Sequence, residues 1–270
     1  MQNTIGFIGG GQMGEALIRG LIQSEQYAKT DISVAEPNQD RRDYMVSTYG
    51  INGYETSDSI WQNCNIIILA VKPQIMSIVL EASKEMVTPE HLLISIAAGL
   101  PISFYEHGLA SKDCKIIRVM PNTPALVLEG ASGISGNENV TPQDMQQAEE
   151  IFNKIGKAVV LPESSIDAVT GLSGSGPAYV FTFAEAMIDA GVEQGLPRAT
   201  AETLALQTLL GSVKLLIESG KHPAELRAMV TSPGGTTIAA QHVLERSGFR
   251  GIVMDAVAAA VNRSKELGKS

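Results

Sequence analysis

The stretch Gly9-Gly10-Gly11-Gln12-Met13-Gly14 constrains this chain more than any other. It follows a short apolar β-type run, Thr4–Ile8, and leads into an amphipathic helical pattern over Met13–Ser24. Spaced as G-x-G-x-x-G between strand and helix, the three glycines have separate tasks. Gly9 permits a tight turn, Gly11 lets the backbone approach a pyrophosphate, and Gly14 lets helix and strand pack closely. The helix N-terminus, with Gln12 and Met13 in its first turn, adds free N–H donors and a positive dipole end. In this context the hexad predicts a dinucleotide site, with a purely structural glycine turn as the alternative.

The pattern that follows suits such a site. Asp31–Ala35, Ile66–Ala70, Leu92–Ile96 and Ile116–Val119 read as strands, and Arg41–Tyr49 and Ile75–Met86 as helices. Wholly apolar strands alternating with helices indicate a parallel sheet covered on both faces. Residues 1–163 are therefore expected to form an α/β, Rossmann-type doubly wound parallel sheet carrying the dinucleotide. After about Leu161 the pattern changes. Pro177–Gln194, Arg198–Glu218, Pro223–Val230, Thr237–Arg246 and Gly251–Leu267 all read as helices, so residues 164–270 are expected to form an all-α domain for substrate binding and dimerisation. The first of these helices is apolar around most of its circumference and must be buried on nearly every side. So small a domain has few layers to do this, which predicts a large dimer interface.

Composition closes off other classes. With 29 acidic against 20 basic residues, the net charge of −9 argues against nucleic-acid binding. Two cysteines, Cys64 and Cys114, are too few for a disulfide scaffold or a zinc site, and no metal is expected. The longest apolar runs, Ile66–Val71 and Ala256–Val261, fall far short of the roughly 20 residues of a membrane span. With no basic leader at the start, the expectation is a soluble, cytoplasmic protein with no membrane partner.

Several positions should face the cofactor. Glu36 ends the second strand, where an acid accepts from the ribose 2′-hydroxyl of NADH. Arg41 and Arg42 follow it, and would either clamp a 2′-phosphate or lie solvated at a helix start. Ala70-Val71-Lys72-Pro73 leaves a buried strand at its carboxyl end, where open α/β sheets bind ligands. Lys72 is read as a surface residue beside the cofactor, a catalytic lysine being the lesser alternative. Ala97-Ala98-Gly99 leaves the next strand with side chains small enough for a flat nicotinamide, and Asn122 offers that ring an amide.

Two dense stretches mark the helical half, Gly171–Tyr179 and Ser232-Pro233-Gly234-Gly235-Thr236-Thr237. The second has the makings of a carboxylate receptor: backbone N–H groups at a helix N-terminus and two threonine hydroxyls. A helix–helix turn with a threonine N-cap is the plainer alternative. The four histidines, His91, His107, His222 and His242, share no motif, and none is expected to be a proton donor.

Together, Gly9–Gly14, Val71-Lys72-Pro73, Arg118–Ala125, Thr170–Tyr179 and above all Ser232–Thr237 resemble the pyrroline-5-carboxylate reductase family, in order and over essentially the whole chain. The resemblance implies hydride transfer from NAD(P)H to the C=N bond of 1-pyrroline-5-carboxylate, giving L-proline. It places Thr237 at the ring nitrogen as the catalytic group, and Gly234, Gly235 and Thr236 around the carboxylate, with Val230 and Ser232 lining the pocket. It also implies a homodimer through the helical domain and further assembly into a ring of dimers, a decamer. The family generally prefers NADPH, whereas Glu36 points to NADH, so both cofactors are carried. The β-hydroxyacid dehydrogenases share the glycine turn, but their lysine general acid would fall at Val180, and no lysine lies between Lys157 and Lys214. A dinucleotide-sensing protein without catalysis is the rival of another class, and the intact Thr236-Thr237 pair speaks against it.

Overall fold

The computed structural model describes residues 4–109 and 113–268. The strands are β1 (Ile5–Ile8), β2 (Ile32–Ala35), β3 (Asn52–Tyr54), β4 (Ile66–Leu69), β5 (Leu92–Ser95), β6 (Lys115–Met120), β7 (Gly130–Gly136) and β8 (Gly156–Val160). They form one sheet in the order β3-β2-β1-β4-β5-β6-β7-β8, parallel throughout except for the β6–β7 pair. The order reverses direction between β1 and β4, which opens a crevice at the carboxyl ends of these strands.

Alternation explains the two-sided core. In β4, Ile66 and Ile68 join Phe7, Leu17 and Ile94 on one face. Ile67 and Leu69 join Ile8, Trp61 and Leu93 on the other. Both faces are apolar because helices cover both, and each fully buried side chain of this size contributes about 1.5–3 kcal/mol. Helices α1 (Gln12–Gln23), α2 (Gln39–Tyr49), α3 (Asp58–Asn63), α4 (Pro73–Ser83), α5 (Ile102–Leu109) and α6 (Pro142–Phe152) accompany the sheet. The doubly wound α/β fold expected from the sequence is the one observed.

Three strands escaped the sequence pattern. β3 is Asn-Gly-Tyr, poor in strand formers. β7 is Gly-Ala-Ser-Gly-Ile-Ser-Gly, which reads as a loop. Its glycines serve close packing instead: a Cβ on Gly130 would lie 2.8 Å from the Ile155 carbonyl, and one on Gly133 2.9 Å from Val169. β8 is an edge strand with Val159 and Val160 exposed, so it lacks the burial pattern of the others.

The chain divides into two compact units, one of residues up to 175 together with 260 onward, the other of 176–259. Past the short α7 (Ile166–Val169) and a π-turn over Thr170–Gly174, the remaining structure is helical: α8 (Gly176–Glu193), α9 (Arg198–Ser219), α10 (Pro223–Met229), α11 (Thr236–Arg246) and α12 (Phe249–Leu267). Small residues bring α8 and α9 together, with Ala184, Ala201 and Ala205 buried. Most of the large apolar side chains here find no cover within the single chain. Phe181 is 66% exposed, Leu210 63% and Ile217 75%. The α8 helix that the sequence required to be buried thus leaves much of its apolar surface bare in one copy.

Candidate active site

The glycine turn is built for an anion. Gly9 sits at φ +105° and donates its N–H to the Ala35 carbonyl at 2.9 Å. A Cβ there would come 2.8 Å from the Ala70 carbonyl, so glycine is required twice over, by conformation and by space. A Cβ on Gly14 would lie 2.9 Å from the Gly9 carbonyl, whereas one on Gly11 would meet nothing within 4 Å. Gly11 is the N-cap of α1 and has no side-chain cap. The first N–H groups of α1, from Gln12, Met13 and Gly14, therefore have no side-chain cap, as a helix start that receives a pyrophosphate needs.

Beside the turn lies a cavity of about 380 Å³ lined by Gly11, Glu36, Glu55, Val71, Lys72 and Ile75, among others. Glu36 is fixed there by two backbone donors, Gly10 N–H to Oε2 at 2.9 Å and Asn38 N–H to Oε1 at 3.0 Å. The arginines are committed elsewhere. Arg41 donates Nε to the Gly10 carbonyl at 2.6 Å and pairs with Glu15, and Arg42 donates to the Glu36 carbonyl at 2.7 Å. Burial alone would raise the Glu15 pKa, but hydrogen bonds from Tyr49, Arg41 and Tyr44 outweigh it and hold the carboxyl below its usual range. Glu55 was not singled out from the sequence. It follows β3 closely, and that strand was the signal that would have found it.

A second cavity, of about 480 Å³, lies on the other side of the β4–α4 turn, lined by Pro73, Gln74, Ala98, Gly99, Thr170 and Ser175, among others. Ala70, Val71 and Lys72 line the first cavity and Pro73 and Gln74 the second, so the β4–α4 turn borders both. Gly99 sits at φ +79° and turns the chain out of β5. Behind it, Ala97 N–H donates to Ser95 Oγ at 3.2 Å, and that oxygen is 2.5 Å from the Tyr105 hydroxyl. Burial pushes the Tyr105 phenol up to about 12, so it stays protonated. The loop's far end is tied by Glu163, whose Oε1 accepts from Ile102 N–H at 2.7 Å and from the buried Arg118 at 3.0 Å.

The Asn122 side chain is held at both ends. Its Oδ1 accepts from Ala131 N–H at 2.8 Å and its Nδ2 donates to the Ser173 carbonyl at 3.0 Å. One bond at each end of the amide braces the chain, and the second N–H of Nδ2 is left for another partner.

The second unit presents the Ser232–Thr237 loop. Gly234 adopts φ +66°, and a Cβ on Gly235 would lie 2.3 Å from Ser232 Oγ. The N-cap of α11 is Gly235, with no side-chain cap, and neither Thr236 nor Thr237 performs that task. Among the described residues no group engages either threonine hydroxyl, and the first N–H groups of α11 are unclaimed. Thr237 is half-buried, while Ser232 and Val230 are exposed. A groove of about 850 Å³ between α10 and α11 reaches Gly234 and Gly235.

Three of the four histidines have plain tasks, and the fourth, His242, lines the groove between α10 and α11. His222 caps α10, its Nδ1 accepting from Ala224 N–H at 3.2 Å. His91 is buried against Trp61, and His107 contacts the Ser103 carbonyl one turn back. Cys64 and Cys114 are buried free thiols, and burial raises the Cys64 pKa to about 11. Among the described residues, no three His, Cys, Asp or Glu side chains converge as a metal site would need.

Comparison with known proteins bears on both units. Residues 163–267 match the family described as pyrroline-5-carboxylate reductase dimerisation, and residues 4–99 match the family described as NADP oxidoreductase, coenzyme F420-dependent. The chain is 48% identical to a pyrroline-5-carboxylate reductase of Methanosarcina acetivorans, over 100% of both chains. A solved pyrroline-5-carboxylate reductase from Coxiella burnetii superposes with a TM-score of 0.95 at 37% identity, covering 100% of both. A Plasmodium falciparum pyrroline carboxylate reductase, solved with NADP bound, gives 0.88 at 38% identity over 99% of both.

Proposed function

Since the chain belongs to the pyrroline-5-carboxylate reductase family, we propose how its own residues carry out that family's reaction. It is an NAD(P)H-dependent oxidoreductase that reduces the C=N bond of 1-pyrroline-5-carboxylate to L-proline, the last step of proline synthesis. When bound, the reduced nicotinamide supplies the hydride that the imine carbon accepts.

The remaining work falls to the protein. The free N–H groups at Gln12, Met13 and Gly14 hold the pyrophosphate, with Gly9 and Gly11 giving it room. Glu36 receives the adenosine ribose, and its fixed carboxylate, with both arginines withdrawn, favours NADH over NADPH. Ala70-Val71-Lys72-Pro73 supports the middle of the dinucleotide, and Ala97-Ala98-Gly99 the nicotinamide. We assign Asn122 to the support of that pocket through Ser173.

The substrate's carboxylate is received around Gly234, Gly235 and Thr236, by the N–H groups of Gly234 and Thr236, while the Gly235 N–H holds the loop by donating to the Ser232 carbonyl at 3.1 Å; Ser232 and Val230 lie at the pocket's edge. The Thr237 hydroxyl is placed at the ring nitrogen. A cyclic imine is basic enough to take its proton from water near neutral pH, so this hydroxyl orients the ring and need not be a strong acid. The observation that carries the assignment is the absence of any cap on α11: a threonine N-cap, the plainer alternative, is not what these side chains do.

The chain is a homo-oligomer. We propose that its dimer forms through α8, α9 and α12, that dimers assemble further into a ring, a decamer, and that one active site draws residues from two copies. The exposed Phe181, Leu210 and Ile217 support the first of these. We take 1–163 as the dinucleotide-binding domain and 164–270 as the helical substrate and dimerisation domain, whose family match begins at 163. No helix among the described residues is long and apolar enough to cross a membrane. A cytoplasmic location is proposed on that footing.

The deciding experiment follows oxidation of NADH and of NADPH with 1-pyrroline-5-carboxylate by the purified protein. Turnover with one or both is expected. A protein that folds, assembles and oxidises neither would overturn the proposal.

A further inference from the structure

The Ala97–Pro101 loop is anchored at both ends by groups that never touch its cavity. At the near end Ser95 Oγ accepts the Ala97 N–H and shares a 2.5 Å hydrogen bond with the Tyr105 hydroxyl, one helical turn inside α5. At the far end Glu163 Oε1 accepts the N–H of Ile102, the first residue of α5, at 2.7 Å. Glu163 is itself aimed by Arg118, whose guanidinium is buried at the centre of β6 and reaches the same oxygen at 3.0 Å. Both anchors converge on α5, so the loop is strung between β5 and the tethered first turn of that helix.

This is an expensive way to hold a helix. The buried guanidinium loses most of its hydration, a cost that its pairing with the partly exposed Glu163 has to offset. What the ion pair gives is direction: one carboxylate oxygen is fixed where the first free N–H of α5 needs an acceptor. Between the two ties Ala98, Gly99 and Leu100 face the 480 Å³ cavity, with Gly99 at φ +79°. At Ala98 and Gly99 little or no side chain intervenes, so there the position of the wall is the position of the backbone.

We infer that Glu163, aimed by Arg118, and Ser95, shared with Tyr105, are positioning residues that set the Ala97–Pro101 loop against the nicotinamide end of the cofactor. The inference rests on the proposed placement of the nicotinamide at this loop. Neither residue takes part in hydride transfer. They act by holding the backbone at the distance the flat ring needs, where a misplacement of about 1 Å costs on the order of a hundredfold in rate.

The test uses Glu163→Gln, which keeps shape and removes the charge, and Ser95→Ala, which deletes one hydroxyl and is not expected to unfold the sheet. Three quantities are measured on the assembled protein. Hydrogen exchange of the amides over 96–102 should quicken in both variants while that of β1 and β4 stays as in the parent. Affinity for ADP-ribose, which lacks the nicotinamide, should stay within about twofold of the parent. The kcat with NAD(P)H should fall roughly ten- to a hundredfold with KM for the nucleotide changing much less. Equal weakening of ADP-ribose would mean a general loss of structure and overturn the inference. So would exchange and kcat both unchanged in Ser95→Ala, the variant that carries the test if Glu163→Gln does not fold. Failure of the placement itself looks different: quickened exchange over 96–102 in both variants, with parent and variants turning over alike. That result also overturns the inference.

Discussion

Glu36 holds the Gly10 N–H at 2.9 Å while Arg41 holds the Gly10 carbonyl at 2.6 Å, so the middle of the glycine turn is gripped from both sides by side chains of opposite charge. One consequence concerns the cofactor. A 2′-phosphate entering beside Glu36 would meet a carboxylate that cannot swing away without releasing Gly10 and Asn38. The nearest guanidinium is already neutralised by Glu15. The parent protein should therefore show a higher kcat/KM with NADH than with NADPH. Glu36→Ser should move the ratio towards NADPH by about tenfold, roughly 1.4 kcal/mol, the scale of one hydrogen bond to a charged group. A ratio unaltered by the substitution removes Glu36 from cofactor choice.

Thr237 stands at the second position of α11 with its hydroxyl unclaimed, since the cap is Gly235. Removing that hydroxyl leaves the helix start intact and, in the role proposed for Thr237, deletes one contact to the substrate. Thr237→Ala should lower kcat/KM for the imine by roughly 1–3 kcal/mol of transition-state binding. The KM for the nucleotide should stay near its parent value, and the melting temperature should not fall. Steady-state kinetics with each substrate varied in turn distinguish these outcomes, and unchanged kinetics exclude Thr237 from the mechanism.

The parts of the fold that were legible in sequence are those where chemistry and burial leave one solution. Ile66–Leu69 can only be a strand buried on both faces, and Gly9 and Gly14 can only be where no Cβ fits. What the sequence hid depends on neighbours distant in the chain. Gly130 and Gly133 look like loop residues until Ile155 and Val169 are brought against them. The part of Asn122 that braces the chain is invisible until Ala131 and Ser173 are brought against it. Glu163 carries no motif at all, because its role exists only once Arg118 and Ile102 converge on it. In the Ser232–Thr237 loop the sequence leaves a receptor and a threonine-capped turn both open, and only the structure shows that the helix start has no side-chain cap.

The bare apolar surface of the helical unit is a statement about assembly. Phe181 on α8 and Ile217 on α9 expose most of their area, which water penalises by about 25 cal/mol per Å². A stable interface commonly buries on the order of 1,600 Å² in total, with aromatic anchors contributing most. Phe181→Asp places a charge in that surface and should shift the protein to monomers in size-exclusion chromatography with light scattering. Activity should fall with the oligomer if active sites draw on two copies. A variant that remains oligomeric would place the interface elsewhere.

His91 makes stability depend on pH in a window of its own. The ring is buried, with Nε2 donating to the Trp61 carbonyl at 3.0 Å and Nδ1 accepting from Thr88 N–H at 3.1 Å. Both nitrogens are satisfied only in the neutral form, since a proton on Nδ1 would displace the Thr88 bond. Burial holds the His91 pKa below the usual 6.5, against the opposing pull of the Trp61 carbonyl and the Glu90 charge. In the unfolded chain the ring takes up a proton as pH falls through 6.5, while in the folded chain it does not until lower pH. The unfolded state then binds more protons, so stability rises with pH across this interval and is lost on acidification. The melting temperature should hold steady above about pH 7 and fall from there towards pH 5. The carboxyls of Glu15 and Asp144, held below their usual range despite burial, lose their contribution only at still lower pH. His91→Gln should be less stable than the parent at pH 7 and should flatten the dependence between pH 7 and 5. Melting curves of both proteins over that interval check it, and parallel slopes would assign the dependence to other groups.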